Sequence, residues 1–299
     1  MINEINVFGV QQTSSSDKAV SLANTEKWIT KASQQGADLI VLQELHATDY
    51  FCQTQSKQKF SLAEPLDGPT AQFLSIQAQK ANAVIVGSIF ERRAAGIYHN
   101  TALVFDKDGT RAGYYRKMHI PDDPGFYEKY YFTPGDEQGF EPIKTSIGKL
   151  GVMICWDQWY PEAARIMALK GAQILIYPTA IGWDKADDKE EQHRQKEAWV
   201  GVQRGHSIAN NLPLIAVNRV GHEPDPSHQS SGIDFWGHSF ICGQQGELLS
   251  INENQQAGLI KATIDLNHTE QVRQIWPYFR DRRIDAYKGL DQRYLDDEL

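Results

Sequence analysis

Short apolar runs rich in β-branched residues alternate with longer amphipathic stretches along most of the chain. Short apolar runs are typical of buried strands, whereas apolar positions three and four residues apart predict helices. The first unit is a strand over 5–10 followed by a helix over 16–35, for which Ser16 is a candidate N-cap. A second buried strand follows over 39–42, so the pattern begins as strand, helix, strand.

This alternation continues to about residue 266 and predicts an α/β fold. The sequence has no linker, repeat or sharp change in composition, so we predict a single domain over 1–299. The tail from about residue 271 is polar and rich in Arg and Asp, and we expect it to pack at a subunit interface, with a position on the free surface as the alternative. The remaining predicted helices cover 70–81, 161–170 and 189–210, and the remaining strands 84–89, 101–105, 111–115, 150–154, 174–177, 214–217, 239–242, 248–251 and 258–264.

Composition and charge narrow the possible partners and compartment. The chain has 299 residues, with 30 Lys and Arg against 38 Asp and Glu, which gives a net charge of −8. We expect no nucleic-acid partner, because such partners usually require a basic face, and no membrane span, because no apolar run is long enough. The three cysteines form no CxxC pair and fit reduced thiols. With no signal-peptide pattern over 1–10, we expect a cytoplasmic protein.

Reactive side chains follow three of the predicted strands. Glu44 comes after LIVLQ, Lys117 after GYYR and Cys155 after LGVMI. Ligands of α/β proteins gather beyond the carboxyl ends of strands, so the three side chains could share one pocket. A thiolate attacks acyl carbons, a carboxylate moves protons and an ammonium stabilises an oxyanion. Taken singly, each residue also fits a structural role, since a cysteine after an apolar strand is commonly a packed small residue.

The segments around these residues resemble the signature blocks of the nitrilase superfamily, in the same order. The resemblance implies a four-layer α-β-β-α sandwich whose subunits pair across a two-fold axis. It implies that Glu44 is the general base, Lys117 the oxyanion stabiliser and Cys155 the nucleophile. It also implies that Glu128 positions the lysine and substrate, and that the backbone N–H of Trp156 is a further oxyanion donor. The resemblance runs from about residue 5 to residue 266, and the three segments are DLIVLQELHATDYF, YYRKMHIPDDPGFYEKYYFTPG and GVMICWDQWYPEAARIMALKGAQILIYPTAIG.

Within this superfamily the chain most resembles the N-carbamoylputrescine amidohydrolases, through CWDQWYPEAAR and YPTAIGWD. That resemblance implies hydrolysis of N-carbamoylputrescine to putrescine, carbon dioxide and ammonia in polyamine biosynthesis. Relatives that act on N-carbamoyl amino acids carry an Arg shortly after the nucleophile, suited to a carboxylate; this chain has Gln158 and Trp159 there. A cationic substrate would instead suit acidic and aromatic groups. The candidates for substrate binding are Trp156, Asp157, His119, Tyr130, Trp183 and Asp184.

Three other functions remain open at this point. The substrate could be N-carbamoyl-β-alanine or an aliphatic amide, or the chain could be a binding protein that keeps the fold without catalysis. A metal-dependent hydrolase is a further alternative, because Glu190 and His193 share a predicted helix face. The acidic run over 184–191 is interpreted as a solvated helix start. We expect no metal, no cofactor, a small-molecule ureido or amine substrate, and a homo-oligomer.

Overall fold

The computed structural model describes residues 4–184, 186–228 and 230–296. The helices in this part of the chain are α1 (Lys18–Ser33), α2 (Pro69–Ala81), α3 (Pro161–Leu169), α4 (Lys189–Asn210) and α5 (His268–Ile275). The strands are β1 (Glu4–Gln11), β2 (Leu39–Leu42), β3 (Val84–Ala94), β4 (Ile97–Phe105), β5 (Arg111–Arg116), β6 (Ile143–Thr145), β7 (Gly148–Val152), β8 (Ile174–Thr179), β9 (Gly182–Asp184), β10 (Leu214–Asn218), β11 (Val220–Glu223), β12 (Ile233–Trp236), β13 (Phe240–Cys242), β14 (Leu248–Ile251) and β15 (Gly258–Asp265). Short 3₁₀ turns cover Phe51–Gln53, Lys57–Leu62, Glu128–Tyr130, Cys155–Trp159, Pro277–Phe279 and Ile284–Ala286.

Two six-stranded sheets with similar layouts form the centre of the molecule. Their strand orders are β15-β1-β2-β3-β4-β5 and β14-β13-β10-β8-β7-β6. In each sheet three neighbouring strands are parallel, and the strands on either side of them pair antiparallel. A third, smaller sheet has the order β11-β12-β9. The parallel strands of both sheets therefore present their carboxyl ends to loops that can carry functional side chains.

The two large sheets pack face to face, and helices cover their outer faces. Alternation along β1 shows the arrangement, because Val7 belongs to the core between the sheets and Phe8 to the core beneath α1 and α2. Gly9 lies where the sheets approach closely, since a Cβ there would be 2.8 Å from Val217 of β10. On the other side, Met167 of α3 and Trp199 of α4 are fully buried against the second sheet. The predicted four-layer α-β-β-α sandwich is confirmed.

Most predicted elements are present, with ends displaced by a few residues. The predicted helix over 16–35 is α1, but its N-cap is Asp17 rather than Ser16, because the Asp17 carboxylate accepts the N–H of Ala19 at 2.8 Å. Prediction missed short strands such as β6, β9, β11 and β12, and also α5, because each is too short for a periodic pattern. In the described part of the chain, none of the helices combines the length and apolar character that a bilayer crossing requires.

Candidate active site

Three strand ends bring Glu44, Lys117 and Cys155 into one site. Glu44 follows β2 and Lys117 follows β5 in the first sheet, whereas Cys155 follows β7 in the second. Because the sheets pack face to face, loops from both can meet at one edge of the sandwich. The Lys117 ammonium forms ion pairs with Glu44 and Glu128, and Glu128 lines the same cavity as Cys155. The predicted convergence of the three side chains is therefore present.

Lys117 is completely buried between two carboxylates. Its Nζ donates to Glu44 Oε1 at 2.9 Å and to Glu128 Oε2 at 2.6 Å. Burial alone would lower the pKa of Lys117, but the carboxylates of Glu128 and Glu44 outweigh it and hold the pKa well above its usual value. The side chain is therefore a fixed ammonium, suited to stabilising negative charge and unsuited to acting as a free amine.

Glu44 is oriented by a second donor. Its Oε1 also accepts a 2.6 Å hydrogen bond from Nδ2 of Asn100, a buried residue of β4. Its Oε2 is buried and has no hydrogen-bond partner among the described residues. Because both donors bind Oε1, Oε2 of Glu44 is free to exchange a proton with a reacting group.

Glu128 connects the lysine to a buried tyrosine. It lies on the 3₁₀ turn Glu128–Tyr130, and its Oε1 accepts the Tyr50 hydroxyl at 2.7 Å. Burial raises the pKa of Glu128, and Lys117 lowers it, so that it lies at about 7. This carboxyl can therefore change its charge near neutral pH.

Cys155 begins a 3₁₀ turn, Cys155–Trp159, with a left-handed backbone at φ +45°. Such a φ is unusual for a residue with a Cβ and occurs most often at functional sites. Burial raises the pKa of the Cys155 thiol well above its usual value; the Glu44 charge raises it further, while Lys117 lowers it. The resting sulfur is therefore a thiol that must lose its proton as it attacks.

The loop that carries Glu44 is held by Arg219, a fully buried residue directly after β10. Its guanidinium donates to the backbone carbonyls of Glu44 at 3.0 Å, Leu45 at 3.1 Å and Thr48 at 3.1 Å. The same group forms a 2.6 Å ion pair with Glu223 Oε1. A planar group with several fixed donors suits this task, so Arg219 links the second sheet to the Glu44 loop.

A cavity of about 540 Å³ opens beside Cys155 and Glu128. Three indole rings line it, those of Trp156, Trp159 and Trp236. Charged side chains from the start of α4 and the segment before it also line this cavity: Asp187, Glu191 and Arg194. Among the described residues, no group of three or more His, Cys, Asp or Glu is arranged to hold a metal ion. The space fits a small molecule with an aliphatic body and polar ends.

Comparison with known proteins agrees with this geometry. The family model "Carbon-nitrogen hydrolase" matches residues 7–274. The chain belongs to the carbon-nitrogen hydrolase family. The resemblance to the nitrilase superfamily, which the sequence indicated, is confirmed, and so is the prediction of an enzyme that hydrolyses carbon–nitrogen bonds.

The similar proteins include both N-carbamoylputrescine amidases and a citrullinase. N-carbamoylputrescine amidase of Solanum lycopersicum is 43% identical over 288 residues, which cover 96% of this chain and 94% of that protein. Citrullinase of Francisella tularensis is 40% identical over 291 residues, which cover 97% of this chain and 99% of that protein. The crystal structure of a carbon-nitrogen hydrolase from Helicobacter pylori G27 matches with a TM-score of 0.95 and 52% identity, covering 98% of this chain and 100% of that one.

In this carbon-nitrogen hydrolase, Asp157 is completely buried and does not line the cavity, and both of its carboxylate oxygens accept hydrogen bonds from protein groups. Its Oδ1 accepts the backbone N–H of His119 at 3.0 Å and lies 2.7 Å from Nδ1 of that residue. Its Oδ2 accepts the Tyr115 hydroxyl at 2.8 Å and the Ile154 N–H at 2.9 Å. Asp157 therefore fixes the turn that carries Cys155, and its contact with substrate stays a prediction.

Of the other residues predicted to bind substrate, some line the cavity and some do not. Trp156 and Asp184 line it, whereas His119, Tyr130 and Trp183 do not. The His119 ring stacks on Tyr160 with centroids 3.6 Å apart, and its Nδ1 lies 2.7 Å from Asp157 Oδ1. These three residues lie behind or beside the wall rather than in it.

Neighbouring aromatic and backbone groups explain the places of Tyr130 and Trp183. Tyr130 packs in an aromatic cluster, with its ring centroid 5.8 Å from that of Phe60. Trp183 donates its Nε1 to the Gln192 carbonyl at 3.0 Å, and its ring lies 5.2 Å from the wall residue Trp236. Trp183 therefore supports the wall from outside.

Sequence reasoning missed the part of the wall that comes from α4. Asp187 and Glu191 belong to the acidic run that was interpreted as a solvated helix start, and Arg194 was given no role, yet all three line the cavity. The signal was their spacing of four and three residues, which continues to the wall residue Ala198 and marks one helix face. Polar residues at this spacing look the same whether they face water or a water-filled cavity, so the pattern alone does not distinguish the two.

Proposed function

We propose that this carbon-nitrogen hydrolase converts N-carbamoylputrescine to putrescine, carbon dioxide and ammonia through a covalent intermediate on Cys155. The observation that carries the proposal is the buried Lys117 ammonium, held between Glu44 and Glu128 beside that thiol. This arrangement supports attack on an acyl carbon, because it combines a nucleophile, a base and an oxyanion stabiliser. The substrate is supported by the 43% identity to an N-carbamoylputrescine amidase over nearly the whole chain.

Glu44 is the general base of the first step. The free Oε2 of Glu44 accepts the thiol proton while Sγ of Cys155 bonds to the ureido carbonyl carbon. The raised pKa of the thiol means that this proton transfer accompanies attack rather than preceding it. The carbonyl π electrons move to the oxygen, and a tetrahedral oxyanion forms.

Lys117 stabilises that oxyanion together with the backbone N–H of Trp156. An ammonium fixed by two carboxylates needs little reorganisation when negative charge develops, and a buried site strengthens the interaction. The N–H of Trp156 lies in the first part of the turn that begins at Cys155. Glu128 acts by positioning Lys117, to which it is bonded at 2.6 Å.

Collapse of the oxyanion breaks the carbon–nitrogen bond. Glu44 returns its proton to the departing nitrogen, and a carbamoyl thioester remains on Cys155. Glu44 then takes a proton from water, whose oxygen attacks the thioester carbon, and Cys155 leaves and is reprotonated. The carbamic acid or carbamate that is released decomposes to carbon dioxide and an amine or ammonia.

Citrulline is the second candidate substrate. The observation that favours it is the 40% identity to a citrullinase over 291 residues, which cover 97% of this chain. N-carbamoyl-β-alanine is a weaker alternative, because Gln158 and Trp159 occupy the positions after Cys155 where an Arg would serve its carboxylate. An aliphatic amide is a further alternative.

Putrescine as product would assign the enzyme to polyamine biosynthesis. We also propose that the enzyme is cytoplasmic and that it forms a homo-oligomer. Buried free thiols fit a reducing compartment. Apolar side chains are strongly exposed on the tail, including Ile275 at 75%, Leu290 at 70% and Tyr294 at 71%, and such groups commonly mark an interface. Light scattering should therefore give a dimer or larger assembly, and a monomer would contradict the oligomer proposal.

The test of the substrate is ammonia release from N-carbamoylputrescine, citrulline and N-carbamoyl-β-alanine, measured as kcat/KM on one enzyme preparation. We expect N-carbamoylputrescine to exceed each of the others by at least about tenfold, because only it lacks a carboxylate. A higher kcat/KM for citrulline would replace the proposed substrate and leave the Cys155 chemistry in place. No ammonia from any ureido compound would contradict the proposal as a whole.

A further inference from the structure

The cavity beside Cys155 reaches a pair of carboxylates at the start of α4. Asp187 and Glu191 both line it, and both are half-buried. A single amide joins them, because Nε2 of Gln195 donates to Asp187 Oδ2 at 3.1 Å and to Glu191 Oε1 at 3.0 Å. The two negative groups are thus held together, where a cation in the cavity can meet both.

The charge of the wall favours a cationic ligand. Arg194 is its basic side chain among the described residues, and it is already paired with acidic groups. Its Nη2 lies 2.7 Å from Glu191 Oε2, and its Nη1 lies 2.7 Å from Glu190 Oε1. A guanidinium committed to two carboxylates is a poor partner for the carboxylate of a substrate. Apart from Glu128, the described part of the wall has four acidic side chains, Asp123, Asp184, Asp187 and Glu191.

Two indole groups of the same wall independently indicate a ligand. Trp236 is 3% exposed, and its buried Nε1 has no hydrogen-bond partner among the described residues. Nε1 of Trp159 is likewise buried and unpartnered. Buried N–H groups are nearly always satisfied, so a ligand or its water is expected against this wall. Indole faces also accept methylene groups and attract ammonium groups.

We propose that Asp187 and Glu191 determine specificity by binding the primary ammonium at the far end of a ureido-amine. The inference rests on the proposed function and deepens it, because it assigns the substrate class to two residues. The carbamoyl group lies at Cys155, the methylene chain lies along the indole rings, and the ammonium lies between the two carboxylates. A ureido-acid is disfavoured, because its carboxylate meets a net negative wall.

The test compares N-carbamoylputrescine with N-pentylurea, in which a methyl group replaces the ammonium. In the variant Asp187→Asn/Glu191→Gln we expect KM for N-carbamoylputrescine to rise about tenfold or more, with kcat changed by less than about twofold. The kcat/KM for N-pentylurea should stay within about twofold of wild type, because this substrate has no cation to bind. The two substitutions keep side-chain size, so loss of folding is not expected to explain the result.

Glu190→Gln is the matched control. Glu190 lies in the same turn of α4 and also pairs with Arg194, but its side chain is 82% exposed and does not line the cavity. Its kinetic constants for both substrates should equal those of wild type. An equal rise of KM in Glu190→Gln would show a general charge effect and overturn the assignment to Asp187 and Glu191.

Calorimetric titration with putrescine gives a readout that does not depend on turnover. We expect the Asp187→Asn/Glu191→Gln variant to bind putrescine about tenfold more weakly than wild type. If wild type hydrolyses none of the ureido compounds but shows this difference in putrescine binding, the proposed function fails and the binding assignment stands. If wild type and variant prefer N-carbamoylputrescine over N-pentylurea equally, or bind putrescine equally, the inference is wrong.

Discussion

Glu128 illustrates how one buried residue can link pH to catalysis. Its carboxyl is enclosed by Lys117 and Tyr50, and burial raises its pKa to about 7 against the opposing effect of the lysine. A raised pKa means that this carboxyl is protonated below about pH 7 and ionised above it. Only the ionised form gives Lys117 its second charged partner, which fixes the ammonium for an oxyanion.

We therefore predict that kcat/KM falls as pH is lowered from about 8 to about 6. Glu128→Gln should lower the rate above neutrality by about tenfold or more and should flatten the profile in this range, because the titrating group is gone. The measurement is the pH dependence of kcat/KM for both proteins. If the variant keeps the same fall between pH 8 and 6, another group controls it.

At the scale of residues, the sequence predicted which side chains lie together where chemistry and position agreed. Glu44, Lys117 and Cys155 each stood at the end of an apolar run, and Glu128 followed from the resemblance. The part of Asp157 in fixing the Cys155 turn was not predicted, because its partners His119 and Tyr115 lie 38 and 42 residues away along the chain and no local pattern indicates them.

At the scale of elements, the ion pair of Arg219 and Glu223 connects β10 and β11 to the loop after β2. Arg219 is fully buried and donates to three carbonyls of that loop, and Glu223 accepts the Tyr50 N–H at 2.5 Å. Removing one member of such a pair leaves a buried charge without its partner. The pair therefore determines whether the Glu44 loop keeps its shape.

Arg219→Met should lower the free energy of unfolding by about 3–5 kcal/mol. Adding Glu223→Gln should cost less than the two single changes summed, because the second change removes the charge left unpaired by the first. Urea unfolding of the two single variants and the double variant measures this coupling. Arg280→Met is the control, since Arg280 pairs with Asp281 on the exposed tail and should leave stability unchanged. Additive losses would show that Arg219 and Glu223 act independently.

Elements with a long hydrophobic period were predicted well, and short ones were not. The helix over 189–210 was predicted with the bounds of α4, because its Asp188 cap and its apolar positions agree. Strands such as β9 and β12 have only three or four residues and exist through pairing with each other. Such pairing depends on tertiary structure, which periodicity does not describe.

At the scale of the whole molecule, the site exists because two sheets of similar layout face each other. Lys117 and Glu44 come from one sheet and Cys155 from the other, so neither half could form the site alone. The alternation of strands and helices predicted the fold class, and the resemblance supplied the four layers. The cavity wall from α4 was not predictable, because it depends on how that helix packs beside the Cys155 turn.

The most direct test of the central claim is the rate at which Cys155→Ala forms putrescine from N-carbamoylputrescine, with thermal unfolding measured on the same samples. Cys155 is small and buried, so we expect the melting temperature to change little while kcat falls by about 10⁴-fold or more, because the sulfur that forms the thioester is removed. A variant that keeps a rate within about tenfold of wild type would contradict the covalent mechanism.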